Sequence, residues 1–212
     1  MATFNLYRQA QLSAWLAGVN WNADQVVATL HSAAYTPNLD THRFVSDLTS
    51  ELPPGGGYTV GGQLLAGRAA AYLPAGAWPT TWAPVTSYAA GQIIRPPLSP
   101  SMLFRCYAAG VSGSVSPNWP VTAGAVVADG SAAWAAIGAG AVTLTASMLQ
   151  WASFTASFRY IIVSDRTPGL ATAQPLIALA DMGGSVAGSG GNLDVIFDSG
   201  SGSGIVFPLW VQ

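Results

Sequence analysis

Lysine is absent from this 212-residue chain, and charge of either sign is scarce: 8% of residues are charged, with net charge −2, against about 25% in an ordinary globular protein. The seven basic residues are Arg8, Arg43, Arg68, Arg95, Arg105, Arg159 and Arg166. They form no basic stripe, which argues against a nucleic-acid groove. No phosphate loop can be completed without its lysine. Cysteine is nearly missing too. Cys106 stands alone, which excludes an intramolecular disulfide and any cysteine metal spacing, and it reads as a small apolar core residue. Glu51 is the single glutamate. There is no G-x-S-x-G, H-E-x-x-H or C-x-x-C motif. Asp165, Asp181, Asp194 and Asp198 sit beside turn residues, where aspartate caps backbone amides, so the acid pair of a glycan-degrading enzyme is not visible. The expectation is a non-enzymatic protein without catalytic residues, cofactor or metal.

No membrane insertion is expected either. Residues 130–158 carry no charge, which is long enough to raise a span. The stretch is rich in Ala, Gly, Ser and Thr, and "VTLTASMLQWASF" mixes polar with apolar as strands do. The apolar run after Arg8 is too short and polar for a signal peptide. A chain that is half hydrophobic and this poor in charge is not kept soluble by self-repulsion. That suits a protein packed against partners; codon bias in a GC-rich genome accounts for the missing lysines equally well.

Residues 3–17, "TFNLYRQAQLSAWLA", place Phe4, Tyr7, Leu12, Trp15 and Leu16 near helical spacing, with Thr3 as cap and Gly18 as stop. "QVVATLHSAAY" reads as a strand that includes His31. "PNLDTHRFVSDL" reads as a short helical turn on a loop, capped by Asp40 or Thr41. "ELPPGGGYTVGG" is a Pro/Gly loop, and "QLLAGRAAAYL" is the next strand. Residues 82–138 change texture, with Trp82, Tyr88, Gly91, Phe104, Tyr107, Trp119 and Trp134 separated by Pro/Gly loops. From about 140 short β-like runs return. The reading is all-β: an antiparallel sandwich or barrel-like core of residues 1–81 plus 139–212, with a short N-terminal helix, and a small β module, 82–138, inserted in a loop.

Asp40, His42, Arg43 and Asp47 crowd thirteen positions. Metal binding there is disfavoured, because the offsets do not make a one-face site and no second histidine is near in sequence. Arg43 and Asp47 are spaced for an exposed i, i+4 salt bridge if the segment is helical. In the module, most aromatic rings must fill so small a core. Trp119, in a Pro/Ser/Asn loop, is the ring best suited to exposure. With Tyr107 and Tyr88 it makes a candidate glycan or partner contact, since flat rings stack on sugar C–H groups.

"WAPVTSYAAGQII…FRCYAAG…SPNWP…AAW" resembles a recurring small module of phage head and tail proteins and, more distantly, chitin-binding modules. The rest of the chain resembles a family of small structural proteins of tailed bacteriophages. The family pattern S-x-Y-T-P-x-x-D-T-H-x-F-x-S-D-L/V-T-x-E, then G-Y-T-x-G-G, falls on Tyr35, Thr36, Pro37, Asp40, Thr41, His42, Phe44, Asp47, Glu51, Gly57, Tyr58, Gly61 and Gly62. A W-x-x-x-T-x-x-x-R-Y-x-x-x-x-D run continues it at Trp151, Thr155, Arg159, Tyr160 and Asp165. The resemblance implies a virion protein made in the bacterial host cytoplasm, with Tyr35, Pro37, Asp40, His42, Phe44, Asp47 and Tyr58 as a structural or subunit-contact loop. The expected partners are the major capsid protein or neighbouring virion proteins, with a homo-oligomer, a trimer favoured. The first reading is a capsid decoration, cement or head-fibre protein. The alternative is a tail, tail-fibre or baseplate component whose module binds host surface glycans.

Overall fold

Val26–His31 is an apolar and β-branched run without a turn former, and every one of its residues is buried. Burial on both faces explains why its alternation is weak in the sequence. It is an inner strand of an all-β chain. The computed structural model describes residues 4–10, 13, 18–97, 102–197 and 205–209. Its strands are β1 (Phe4–Leu6), β2 (Val26–His31), β3 (Gln63–Leu64), β4 (Ala69–Pro74), β5 (Ser87–Tyr88), β6 (Ile93–Ile94), β7 (Leu103–Ala108), β8 (Gly110–Val111), β9 (Val126–Asp129), β10 (Ala132–Gly138), β11 (Gly140–Trp151), β12 (Ser157–Asp165), β13 (Leu176–Ala187), β14 (Leu193–Phe197) and β15 (Ile205–Leu209). Among the described residues no helix is long and apolar enough to cross a membrane.

The chain divides into two units. The bulk of the first is Met1–Ala70 with Leu144–Ser199, and the bulk of the second is Ala71–Thr143. The first unit contains an antiparallel five-stranded sheet in the order β1-β13-β12-β2-β3. One face presents Tyr160, Ile162, Leu176 and Leu179, which pack with Tyr7, Ala10 and Tyr35. The outer edge of β2 is covered first by Glu51, bridged to His31, and then by β3. Gly62 is essential to that approach: its φ is +74°, and a Cβ there would lie 2.0 Å from the Ala28 carbonyl oxygen, a position only glycine can hold. Gly57, with φ +83°, meets the Ala152 carbonyl in the same way at 2.5 Å. Among the described residues Arg68 has no carboxylate partner. Its guanidinium donates instead to the backbone carbonyls of Trp21, Asn22, Asp24 and Leu65, tying the 20–24 turn to the end of β3.

The helix expected from Thr3 does not begin there. Phe4–Leu6 is β1, paired with Ala178–Ala180 of β13, because completing a sheet edge outweighs weak local helix preference. Gln9, Ala10 and Ser13 are helical; residues 11–12 and 14–17 lie outside the described residues. The 36–48 loop also differs from expectation. A 3-10 turn covers only Val45–Asp47, with Phe44, not Asp40 or Thr41, at its cap position and Asp47 accepting the Phe44 amide; in the turn before it Asn38 Oδ1 accepts the amides of Asp40 and Thr41.

The second unit is built on the antiparallel sheet β6-β7-β10-β9 and the β5-β8 pair. The inward face of that sheet carries Ile94, Phe104, Cys106, Trp134 and Ala136, joined by Trp82, Tyr88 and Met102. A second cluster contains Ala75, Trp78, Ile93, Leu103, Ile137 and Ala141, with Leu73 against it. This cluster reaches beyond residues 82–138. The texture change suggests a module of 82–138, yet 71–81 and 139–143 belong to the same unit, since Leu73, Ala75, Trp78 and Ala141 bury themselves against Ile93, Leu103 and Ile137.

Candidate functional site

The loop that carries Tyr35 and His42 is held by bonds that run inward. The Tyr7 and Tyr35 hydroxyls are 3.1 Å apart, and the Tyr35 hydroxyl is 2.8 Å from His42 Nδ1. Tyr7 is fully buried and Tyr35 nearly so, while His42 is half-buried. Tyr35 also packs edge-on against Tyr160, with ring centroids 5.7 Å apart. Burial pushes the ionisation of both phenols up, so they act as neutral hydroxyls. His31 lies on the same side of β2 as Thr29. Its Nδ1 is 2.8 Å from the Thr49 carbonyl and its Nε2 is 3.0 Å from Thr29 Oγ1. A carbonyl only accepts, so Nδ1 carries the proton and Nε2 accepts from the threonine. Burial lowers the His31 pKa, against the opposing pulls of the Thr49 carbonyl and Glu51. It is a neutral core histidine.

Asp47 does not pair with the Arg43 guanidinium as the i, i+4 spacing suggests. Its Oδ2 accepts the backbone amides of Arg43 and Phe44 at 2.8 and 2.9 Å. Burial works against the charge, but those two amides and nearby His42 outweigh it and hold the carboxyl below its ordinary value. The Arg43 guanidinium donates to Ser13 and lies over the Phe44 ring, 4.8 Å from its centroid. A segment too short for a helical turn at Arg43 cannot set up the spacing that the salt bridge requires. Asp40 is exposed and pairs with Arg8, while its backbone carbonyl accepts from Gln9. Pro37 is half-buried. Phe44 is half-buried, and its backbone bridges to Pro175. Tyr58 is buried, accepts the Leu30 amide at 3.3 Å and donates to Glu51 Oε1 at 2.7 Å; the Gly61 amide donates to the same oxygen. Asp40, His42 and Asp47 thus have three different partners and do not converge.

In the second unit Asp129, which no motif or spacing singles out, proves central. Only 4% exposed, it accepts the indole N–H groups of Trp82 and Trp134 on Oδ2 at 2.7 and 2.8 Å, and the Gly113 amide on Oδ1 at 2.7 Å. Three donors replace the water that a buried carboxylate loses. Asp129 precedes Gly130, a pairing that marks a hairpin turn, and that signal hides its inward role. Tyr7 and Arg68 escape a reading of the sequence for a like reason: most of their partners are distant along the chain.

The three candidate contact rings separate. Tyr88 is buried, and its hydroxyl accepts the Ala83 amide at 2.7 Å. Trp119 is only half-buried, but its ring lies 4.6 Å from Phe104 and 6.0 Å from Trp134, and its N–H donates to Ser116. The Pro/Ser loop that suggests exposure instead lays this ring on the core. Tyr107 is 72% exposed. By strand register it shares the outward face of the sheet with Arg105, Ala133, Ala135 and Val126. Compared with protein-family models, curated proteins and solved structures, the chain matches none.

Proposed function

We propose that this chain is a non-enzymatic structural protein of a tailed-phage particle, bound to the capsid surface as a decoration, cement or head-fibre component. Its partner on this reading is the major capsid protein or a neighbouring virion protein. It repeats as a homo-oligomer, a trimer favoured, and is a virion protein made in the bacterial host cytoplasm. The core is read as a sandwich or barrel-like body with a short helix near Gln9. One observation carries the proposal: Tyr35, His42, Asp47, Glu51 and Tyr58 of the 35–62 segment spend their polar atoms on bonds inside the unit, while large apolar side chains stand exposed. Val60, Leu64, Met148, Leu170 and Ile196 are each more than half exposed. Inward bonding suits a scaffold, and exposed aliphatics with little charge suit broad apolar contacts repeated across a lattice.

The test is binding of the purified protein to particles that lack it. Contacts of this kind should hold in about 1 M salt, where screening leaves a Debye length of only ~3 Å. Release by salt, or no binding, counts against the proposal. A second reading, a tail, tail-fibre or baseplate component that binds host glycans, is favoured by one observation, the exposed Tyr107 ring beside Arg105. Adsorption of particles carrying Tyr107→Ala separates the two readings.

A further inference from the structure

We propose that His42 is an acid-operated latch on the N-terminal strand: its protonation breaks the Tyr7–Tyr35–His42 hydrogen-bond chain and releases β1 from the edge of β13. The strand itself is short. Three residues pair with Ala178, Leu179 and Ala180, and residues 7–9 add further bonds. The Tyr7 amide donates to the Ile177 carbonyl, the Arg8 amide to the Leu39 carbonyl, Arg8 pairs with Asp40 and Gln9 donates to the Asp40 carbonyl. The side chain that enters the core is Tyr7, with no exposed surface.

The chain of hydroxyls has a direction. With His42 neutral and its proton on Nε2, Tyr35 donates to Nδ1 and its oxygen accepts from Tyr7, so both buried protons have acceptors. This tautomer is assigned because it alone satisfies both phenols. A second proton on His42 goes to Nδ1, which then donates and no longer accepts. Tyr35 must turn its proton toward Tyr7, and the Tyr7 proton faces an oxygen that is itself donating. If the imidazolium swings out to solvent instead, Tyr35 loses its acceptor. Either way one buried hydroxyl goes unsatisfied, at a cost set by desolvation. The segment anchored by Tyr7 is the short strand β1, and its departure bares the β13 edge. An unpaired strand edge is a template for another chain.

The charged and titratable groups around this point come from each packed element. Asp40 and Arg8 are paired beside it, and Arg43 and Asp47 lie on its own loop. Beyond Tyr35 stand His31 of β2, 5.6 Å from the Tyr35 ring, and Tyr160 of β12. Arg159 lies over the Tyr160 ring and pairs with Asp181. His31 is the rival proton acceptor, so the test must separate the two histidines.

The experiment is hydrogen exchange read by mass spectrometry on the full chain at about pH 7.5 and about pH 5, which brackets ordinary histidine titration, with intrinsic rates corrected. The expected result is a loss of protection of roughly tenfold at acid pH, confined to peptides covering 4–10 and 176–181. His42→Gln, which keeps an acceptor and cannot be protonated there, should keep protection at both values. Tyr7→Phe removes the hydroxyl that is orphaned, so it should shrink the acid response whatever its protection at neutral pH. The proposal is overturned if the original protein keeps its protection at acid pH. It is overturned equally if His42→Gln loses protection as the original does, which assigns the effect to His31, or if Tyr7→Phe leaves the response unchanged.

Discussion

Each of the two units buries polar groups among aromatic rings, and they satisfy them by opposite means. The first unit uses neutral groups in series: Tyr7, Tyr35 and His42 hand one hydrogen bond to the next, and the last member is half-buried. The second uses one carboxylate in parallel: Asp129 accepts from Trp82, Trp134 and Gly113 at once and is almost wholly enclosed. A series can be broken at its solvent-facing end by a single proton. A parallel cluster has no such weak link, but it depends entirely on its one acceptor. The first arrangement is therefore tunable and the second rigid.

The sharpest break of that comparison is Asp129→Ala. Two indole N–H groups and an amide lose their acceptor inside the core, and unfolding of the second unit in denaturant should show a loss of about 3–5 kcal/mol. A loss under about 1 kcal/mol would mean that the cluster is not what holds the unit together. Trp119→Ala comes next, at about 2–4 kcal/mol, since the ring packs on Phe104 and Trp134 although half of it is open; the same denaturation measures it. In the first unit, Asp47→Ala removes the acceptor of two amides and should cost about 1–2 kcal/mol, the usual worth of a cap. Less than a few tenths would make the turn self-supporting.

A smaller effect is expected from acid. Burial holds the folded pKa of His31 below its ordinary value of 6.5, so near and just below that pH the unfolded chain binds more protons. Its contribution is complete above about 6.5 and is lost as pH falls toward the folded value. Stability measured across pH should therefore decline on the acid side, and His31→Gln should flatten that decline. Tyr107→Ala is the smallest of all. With its ring in solvent it should shift stability by less than about 0.5 kcal/mol; a larger loss would place the ring in the fold and remove the exposed aromatic on which the glycan reading rests.

What could be read from residues alone depends on the range of the forces involved. The all-β class and the β2 strand rest on local apolar runs, and local runs are written in order along the chain. The Gly57 and Gly62 positions were legible as a Pro/Gly loop, but not the carbonyls of Ala152 and Ala28 that demand them. The cluster of tryptophans in 82–138 is plain in the sequence; that Trp78 and Ala141 come together in one cluster from opposite ends of a longer segment is not. For the same reason a linker replacing 82–138 would bare Leu73, Trp78 and Ala141, and the cleaner excision runs from 71 to 143. Asp47 was recognisable as a loop acid, with a salt bridge to Arg43 only if the segment is helical; Arg43 is not helical, and Asp47 accepts backbone amides instead. Asp129 beside Gly130 carried a turn signal that is correct for the backbone and silent about the side chain.

A place on the capsid surface is tested most directly by copy number, measured by quantitative mass spectrometry of purified particles against the major capsid protein. A decoration, cement or head-fibre role predicts an amount that keeps step with the shell, a fixed share for each repeat of the lattice. A handful of copies per particle, recovered with detached tails and absent from heads, would contradict it.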